Sequence, residues 1–373
     1  MGDVSPSAYY ARQLRVPGWG PEGQAILARS TVLVVGVGGL GCPVLGALAR
    51  AGVGHLVFAD PDRVETSNLP RQTLFTPADV GRAKVDAAAG ALSRANPWVK
   101  LEPLAAKVDP SNVRSLVELA DVVIDGTDNF ATKFLVHDAC RSAAKPLVLA
   151  SLYQWEAQVT VFPFHQPGPG CWRCLYPVAP ADGCVGVCAD VGVAGALAGL
   201  AGNAQALATI RLLLGLLTAE PLTTWVYDAA DPVPRRLKWK ADPGCSCHRG
   251  PGDWSWLDEA LAGGRMEAPW TEVAPADRQV VVDVRELHEI EPAQWDWFEA
   301  QGSRVVHFPW SGWSAHQPEW QLGTAYLVVC ARGYRSLAAV ETVPPGIRVI
   351  SLTGGVFGLV SLIQIKEPRP RLV

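Results

Sequence analysis

At 373 residues the chain is too long for one ordinary domain, so two or three are expected, and 49% hydrophobic residues supply their cores. A formal net charge of −4 gives no basic field and argues against nucleic acid as a partner. Nine cysteines, in a chain whose opening MGDVSPSAYYARQLR lacks an apolar signal core, read as reduced intracellular thiols used for metal and chemistry and predict a cytoplasmic protein.

In chain order, STVLVVGVGGLG (Ser30 to Gly41) is a β-branched strand running into a glycine turn, CPVLGALARAGV continues as a helix, and HLVFAD (His55 to Asp60) is the next strand. This is a βαβ unit with parallel strands, and it sets the class as α/β. DVVID (Asp121 to Asp125) and KPLVLAS (Lys145 to Ser151) continue the alternation around a helix near Ala131 to Ala144. The apolar run Val191 to Leu217 has the length of a membrane span, but Asn203, Gln205 and Arg211 interrupt it, which predicts a helix packed inside a soluble protein and no membrane partner. Past about residue 240 the texture turns Gly- and Pro-rich, placing a linker at 249–265 between a first domain, 1–248, and a smaller α/β unit, 266–373. The strands of that unit are VVVDV, RVVHF, AYLVVC and RVISL.

Gly36, Gly38, Gly39 and Gly41 follow a strand and open a helix, with Asp60 at the end of the second strand. Glycines let a backbone approach phosphates at a helix N-terminus, and the acid suits a ribose hydroxyl, so the turn signals a nucleotide and leaves NAD, FAD and ATP open. Asn68, Arg71 and Lys84 follow. Such an amide and two cations are superfluous for hydride transfer but serve a triphosphate whose pyrophosphate must be neutralised. In DGTDNF, Asp128 is a hard oxygen ligand suited to Mg²⁺.

CWRC offers Cys171 and Cys174, and CSCH offers Cys245 with either Cys247 or His248, two half-sites of a closed structural zinc centre. Cys184 and Cys188 precede the long apolar helix, where a helix N-terminus would lower a thiol pKa, while Cys42 and Cys140 sit in apolar helical runs and read as core. Cys330 ends the strand AYLVV and opens a loop of Ala331, Arg332, Gly333, Tyr334, Arg335 and Ser336. Amides and arginines there favour a thiolate and predict a reactive cysteine.

These motifs, from about Tyr9 to His248, resemble the bacterial MoeB/ThiF adenylating enzymes, relatives of the ubiquitin-activating enzymes. The resemblance implies a Rossmann-like E1 domain with a mixed sheet, ATP as substrate, Asp60 on the ribose, Asn68, Arg71 and Lys84 on the phosphates, and Asp128 on magnesium. It also implies that Arg12 reaches the ATP of a partner subunit, hence a homodimer, and that Cys188 lies near the activated terminus of a carrier. The family's zinc site is all cysteine, which favours Cys247 over His248. The segment around Cys330, with VVVDVRE upstream and SLTGG downstream, resembles a rhodanese domain, in which the cysteine carries a persulfide. Ala331 stands where that family often has arginine.

Together the two resemblances imply a sulfur-carrier-protein adenylyltransferase fused to a sulfurtransferase. Its partners would be a small ubiquitin-like carrier ending in Gly-Gly and a sulfur donor such as a cysteine desulfurase. Molybdenum cofactor, thiamine, tRNA thiolation and cysteine synthesis are all open destinations. The rival reading is a dinucleotide-dependent oxidoreductase with an accessory rhodanese unit, which leaves Arg71, Lys84 and Asp128 idle.

Overall fold

The computed structural model describes residues 5–166, 170–176, 192–217, 223–229, 231–242, 245, 252–255, 257, 267–268, 279–286, 290, 292–313, 317–321, 323–330, 339, 342–344 and 348–352. Two compact units arise, one from Met1–Ala179 with Gly186–Leu261, the other from Pro180–Val185 with Ala262–Val373.

In the first unit, short helices Pro6–Tyr9 (α1) and Gly20–Arg29 (α2) precede strand β1, Thr31–Val35. Tyr9 donates its hydroxyl to Ala95 O at 2.8 Å, and buried Asn96 donates Nδ2 to both the Tyr10 hydroxyl and Ala49 O at 2.7 Å. These bonds dock the segment that carries Arg12. The chain continues through α3 (Gly41–Ala51), β2 (His55–Ala59), α4 (Lys84–Ala95), β3 (Lys100–Leu104), α5 (Val113–Leu119), β4 (Val122–Asp125), α6 (Phe130–Ser142), β5 (Leu147–Tyr153) and β6 (Glu156–Phe162). There follow α7 (Trp172–Leu175), α8 (Gly195–Leu213), β7 (Thr223–Asp228) and β8 (Asp231–Lys238).

The sheet runs β3-β2-β1-β4-β5-β6-β7-β8. Its first five strands pair in parallel and β5 to β8 form an antiparallel meander, so the sheet is mixed. β1 is apolar on both faces because helices cover both: Val32 and Val34 pack with Leu45, Leu48 and Leu92, whereas Leu33 and Val35 pack with Val117 and Phe134.

The long apolar run becomes α8, and its polar members have structural work. Gln205, fully buried, donates Nε2 to Asp125 O at 2.8 Å and Val148 O at 3.1 Å, while Asn203 and Arg211 face solvent. No helix among the described residues is long and apolar enough to cross a membrane. Within the expected linker, Trp254 and Leu257 are buried in the core of the first unit, and Arg114 lies 4.8 Å over the Trp254 ring. Those two residues therefore pack as part of the first unit, because their aromatic and aliphatic side chains have an apolar face to cover.

The second unit contains β9 (Glu267–Ala268), β10 (Val280–Asp283), α9 (Pro292–Ala300), β11 (Arg304–His307), β12 (Ala325–Val329) and β13 (Arg348–Leu352) in a parallel sheet ordered β11-β10-β12-β13-β9. Arg285 and Asp283 are buried together. Arg285 Nη2 reaches Asp283 Oδ2 at 2.6 Å and Trp295 donates to the same oxygen at 2.7 Å, which compensates a desolvated charge pair.

One backbone position has a large expected cost. A Cβ at Gly41 would collide with the carbonyl oxygen of Gly36, and no rotamer relieves a clash with backbone. Gly41→Ala should lower the urea midpoint by the equivalent of about 3 kcal/mol, the upper end of overpacking penalties. An unchanged midpoint would mean the turn yields freely.

Candidate active site

Strand order reverses between β1 and β4, so a crevice opens at their carboxyl ends. Gly36, directly after β1, has φ +91°, and a Cβ there would lie 2.9 Å from the carbonyl oxygen of Gly126, directly after β4. Only glycine lets these loops meet while α3 presents its N-terminal amides to the crevice.

Asp60 follows β2 and is 6% exposed. Its Oδ2 accepts from the Val37 amide at 2.7 Å and its Oδ1 from the Asp62 amide at 2.9 Å. Burial raises its pKa above the usual carboxylate range, against the opposing pull of Lys84. Lys84 opens α4, also buried, with Nζ 2.7 Å from Asp62 and 3.9 Å from Asp60. Asn68 spends its Oδ1 on the Glu65 amide at 3.2 Å, closing a reciprocal cap. That cap delivers the chain to Arg71. The Arg71 stem crosses the glycine turn, since a Cβ at Gly39 would sit 3.5 Å from Arg71 Cγ, and its guanidinium donates to Ser67 O at 2.8 Å. Both expected phosphate cations thus frame the turn.

Asp128 is exposed, two residues beyond Gly126, and its carboxylate has no hydrogen bond among the described residues. Asn129 behind it caps α6 by accepting from the Thr132 amide at 2.9 Å. Arg12 is exposed after α1, with no partner for its guanidinium among the described residues. Three neighbours carried no plain sequence signal. Gln72 is 3% exposed, its Oε1 has no partner among the described residues, and its Nε2 would lie 3.8 Å from a Cβ at Gly38. Asp125 and Lys133, both buried, form an ion pair beneath the turn, and Lys133 also donates to Ala150 O at 2.6 Å. A lysine inside the apolar helix FATKFLVHDAC was the available hint.

Cys171, Cys174 and Cys245 converge, with all three sulfurs within 4.8 Å of one another. Cys171 Sγ lies 3.7 Å from Cys245 Sγ, far beyond disulfide length and close to the roughly 3.8 Å edge of a tetrahedron with zinc–sulfur bonds of about 2.3 Å. The Cys171 amide points at Cys174 Sγ at 3.3 Å, a further donor to a thiolate. Three soft ligands so spaced fit Zn²⁺.

Cys330 follows β12 as expected but is 2% exposed, in an apolar cluster with Val282, Val284 and Trp313. The cysteine expected to be reactive thus lies within that apolar cluster, at the end of β12, the central strand of its sheet. Cys42 and Cys140 are fully buried, and burial pushes Cys42 up to about 12 and Cys140 well above the ordinary thiol value. Cys184, Cys188, Cys247, His248 and the loop residues Ala331 to Ser336 lie outside the described residues.

The sequence pattern of the ThiF family matches residues 10–247. The chain belongs to the ThiF family. Relatives within reach of the family include the SAMP-activating enzyme E1 of Haloferax volcanii, 42% identical over 243 residues covering 65% of this chain and 89% of that protein. The sulfur carrier protein adenylyltransferase of Thermus thermophilus is 42% identical over 244 residues, covering 63% and 88%. Adenylyltransferase and sulfurtransferase MOCS3 of Anopheles gambiae is 39% identical over 291 residues, covering 76% of this chain and 64% of that protein. That match is longer than the family pattern and runs on past residue 247. Escherichia coli MccB, solved with MccA-N7isoASN, superposes with TM-score 0.58 at 22% identity, covering 67% of this chain and 76% of that one. At that identity the likeness shows the fold, which in this ThiF-family chain is the E1-like adenylating fold.

Proposed function

We propose that this chain adenylates the C-terminal carboxylate of a small ubiquitin-like sulfur-carrier protein ending in Gly-Gly, and that a Cys330 persulfide then supplies sulfur to make a thiocarboxylate. The observation that carries the first half is the framing of a Rossmann glycine turn by two cations, Lys84 buried beside Asp60 and Arg71 crossing Gly39. A hydride-transfer enzyme has no use for that charge, whereas a departing pyrophosphate requires it. The activities for which the Haloferax and Thermus relatives are named support the same reading, and a Gly-Gly tail is what threads unbranched to an α-phosphate.

In the mechanism, Asp60 accepts from the ATP ribose, and the amides of the turn with Lys84 and Arg71 hold the phosphates. A carrier carboxylate oxygen attacks the α-phosphorus, and the bond to the β-phosphate oxygen breaks with its electron pair leaving on pyrophosphate. Mg²⁺ bound at Asp128 would supply further neutralisation of that charge. The outer sulfur of the Cys330 persulfide then attacks the acyl carbon and expels AMP, leaving an acyl disulfide. A second thiol, for which the chain offers Cys188, attacks the Cys330 sulfur; this releases the thiocarboxylate and leaves a disulfide for a cellular dithiol to reduce. The second unit acts in this reading as a rhodanese-like domain loaded by a donor such as a cysteine desulfurase, Zn²⁺ at Cys171, Cys174 and Cys245 is structural, and Arg12 serves the ATP site of a second copy in a homodimer.

The test is ATP–pyrophosphate exchange with a Gly-Gly carrier. The wild type should exchange, and Asp128→Ala should lose about 100-fold or more. Undiminished exchange in the variant removes Asp128 from the site, and nicotinamide binding without exchange in the wild type returns the oxidoreductase reading.

A further inference from the structure

Lys133 and His137 are four residues apart and share one face of α6. At one end of that face Lys133 holds Asp125 beneath the glycine turn. One helical turn on, His137 Nε2 accepts the backbone amide of Trp172 at 2.9 Å, and Trp172 lies between the two cysteines of CWRC. Because Nε2 accepts, the ring hydrogen is on Nδ1, which donates to Asp138 Oδ1 at 3.0 Å. Asp138 in turn receives Arg173, the other residue between those cysteines, through Nε at 2.9 and 3.0 Å and Nη2 at 2.6 Å.

The surroundings make this network stiff. His137 is fully buried, edge-on to Phe162 and Phe164 with centroids 5.5 and 5.3 Å away, and burial holds it neutral. Burial alone would push Asp138 up, but the His137 and Arg173 hydrogen bonds win and keep it ionised. The Arg173 guanidinium also covers the Phe134 ring at 4.9 Å. Consecutive residues of α6 therefore grip both residues that separate two of the sulfur ligands. Helix α7 has only four residues and cannot stand by itself. If the cysteine cluster is not tied together, α7 loosens from α6 and His137 and Asp138 become buried polar groups short of partners, a costly state that α6 relieves by shifting.

We propose that His137 and Asp138 are positioning residues that couple metal occupancy at Cys171, Cys174 and Cys245 to the floor of the nucleotide site through the Lys133–Asp125 pair. The proposal rests on the reading of that site as an ATP site. By linkage, zinc must then tighten ATP by the same factor that ATP tightens zinc.

The experiment uses the full chain, zinc-loaded or stripped by a chelator, with ATP affinity from calorimetry and zinc affinity from competition with a chromophoric chelator. In the wild type, stripping should weaken ATP by about 5- to 100-fold, and saturating ATP should tighten zinc equally. In Asp138→Asn and His137→Gln, zinc still binds but the factor falls towards one. A wild type that binds ATP equally with and without zinc overturns the coupling alone, as does an undiminished factor in both variants. A zinc-loaded wild type that binds no ATP overturns the ATP reading and the coupling with it. Should stripped protein unfold, amide exchange on zinc-loaded samples decides. Gly126 and Thr127 should exchange at least about tenfold faster in Asp138→Asn than in the wild type, and equal protection refutes the clamp.

Discussion

Lys84→Ala is expected to abolish ATP–pyrophosphate exchange, with a loss of about 100- to 1,000-fold, while the chain stays folded. Lys84 is 7% exposed and its ammonium sits 2.7 Å from Asp62 and 3.9 Å from Asp60, so two losses coincide when it goes. The phosphates lose a desolvated cation. Asp60, already raised by burial, also loses the strongest influence holding it down. A carboxyl with a raised pKa takes up its proton at a higher pH than an ordinary carboxylate, so nucleotide binding in the wild type should weaken as pH falls. In Lys84→Ala that weakening should begin at a higher pH still. Lys84→Arg should not rescue, because a planar guanidinium does not fit a pocket shaped around a compact ammonium. Exchange in Lys84→Ala within threefold of the wild type would remove Lys84 from the phosphate site.

Cys330→Ala should leave exchange intact and reduce both thiosulfate-to-cyanide sulfur transfer and thiocarboxylate formation to the rate without enzyme. The two activities separate because the thiol belongs to the second unit, at the carboxyl end of β12, and the glycine turn to the first. At 2% exposure among Val282, Val284 and Trp313, the resting thiol should also react slowly with iodoacetamide, far slower than a free surface cysteine. Fast alkylation would show that the covering side chains open readily. Sulfur transfer persisting in Cys330→Ala would move the chemistry to another cysteine, with Cys188 the next to replace.

Much of the first unit was legible along the chain. The β-branched run before GVGGLG, the glycine turn and the helix after it are set by neighbours a few residues away, and strands 280–283, 304–307, 325–329 and 348–352 announced themselves in the same way. The motif acids and cations Asp60, Arg71, Lys84 and Asp128 could be chosen by residue type and order. What those side chains do with solvent could not, since burial is settled by elements distant in sequence. Residue type and order picked out Lys84 as a cation for phosphate but not its burial against Asp60 and Asp62, and picked out Cys330 as reactive but not its burial among Val282, Val284 and Trp313.

The amino-acid sequence by itself determined the element pattern, the glycine turn between strand and helix, the CWRC cysteine pair and membership of the family, because period, turn chemistry and motif spacing are local. The tertiary structure set Cys245 beside Cys171 across 74 residues, as the two half-sites implied, and it alone placed Lys133 on Asp125 and joined His137 and Asp138 to Trp172 and Arg173. Each of those contacts closes a long loop or desolvates a charge, and that free energy is repaid only when the whole sheet and its covering helices are assembled.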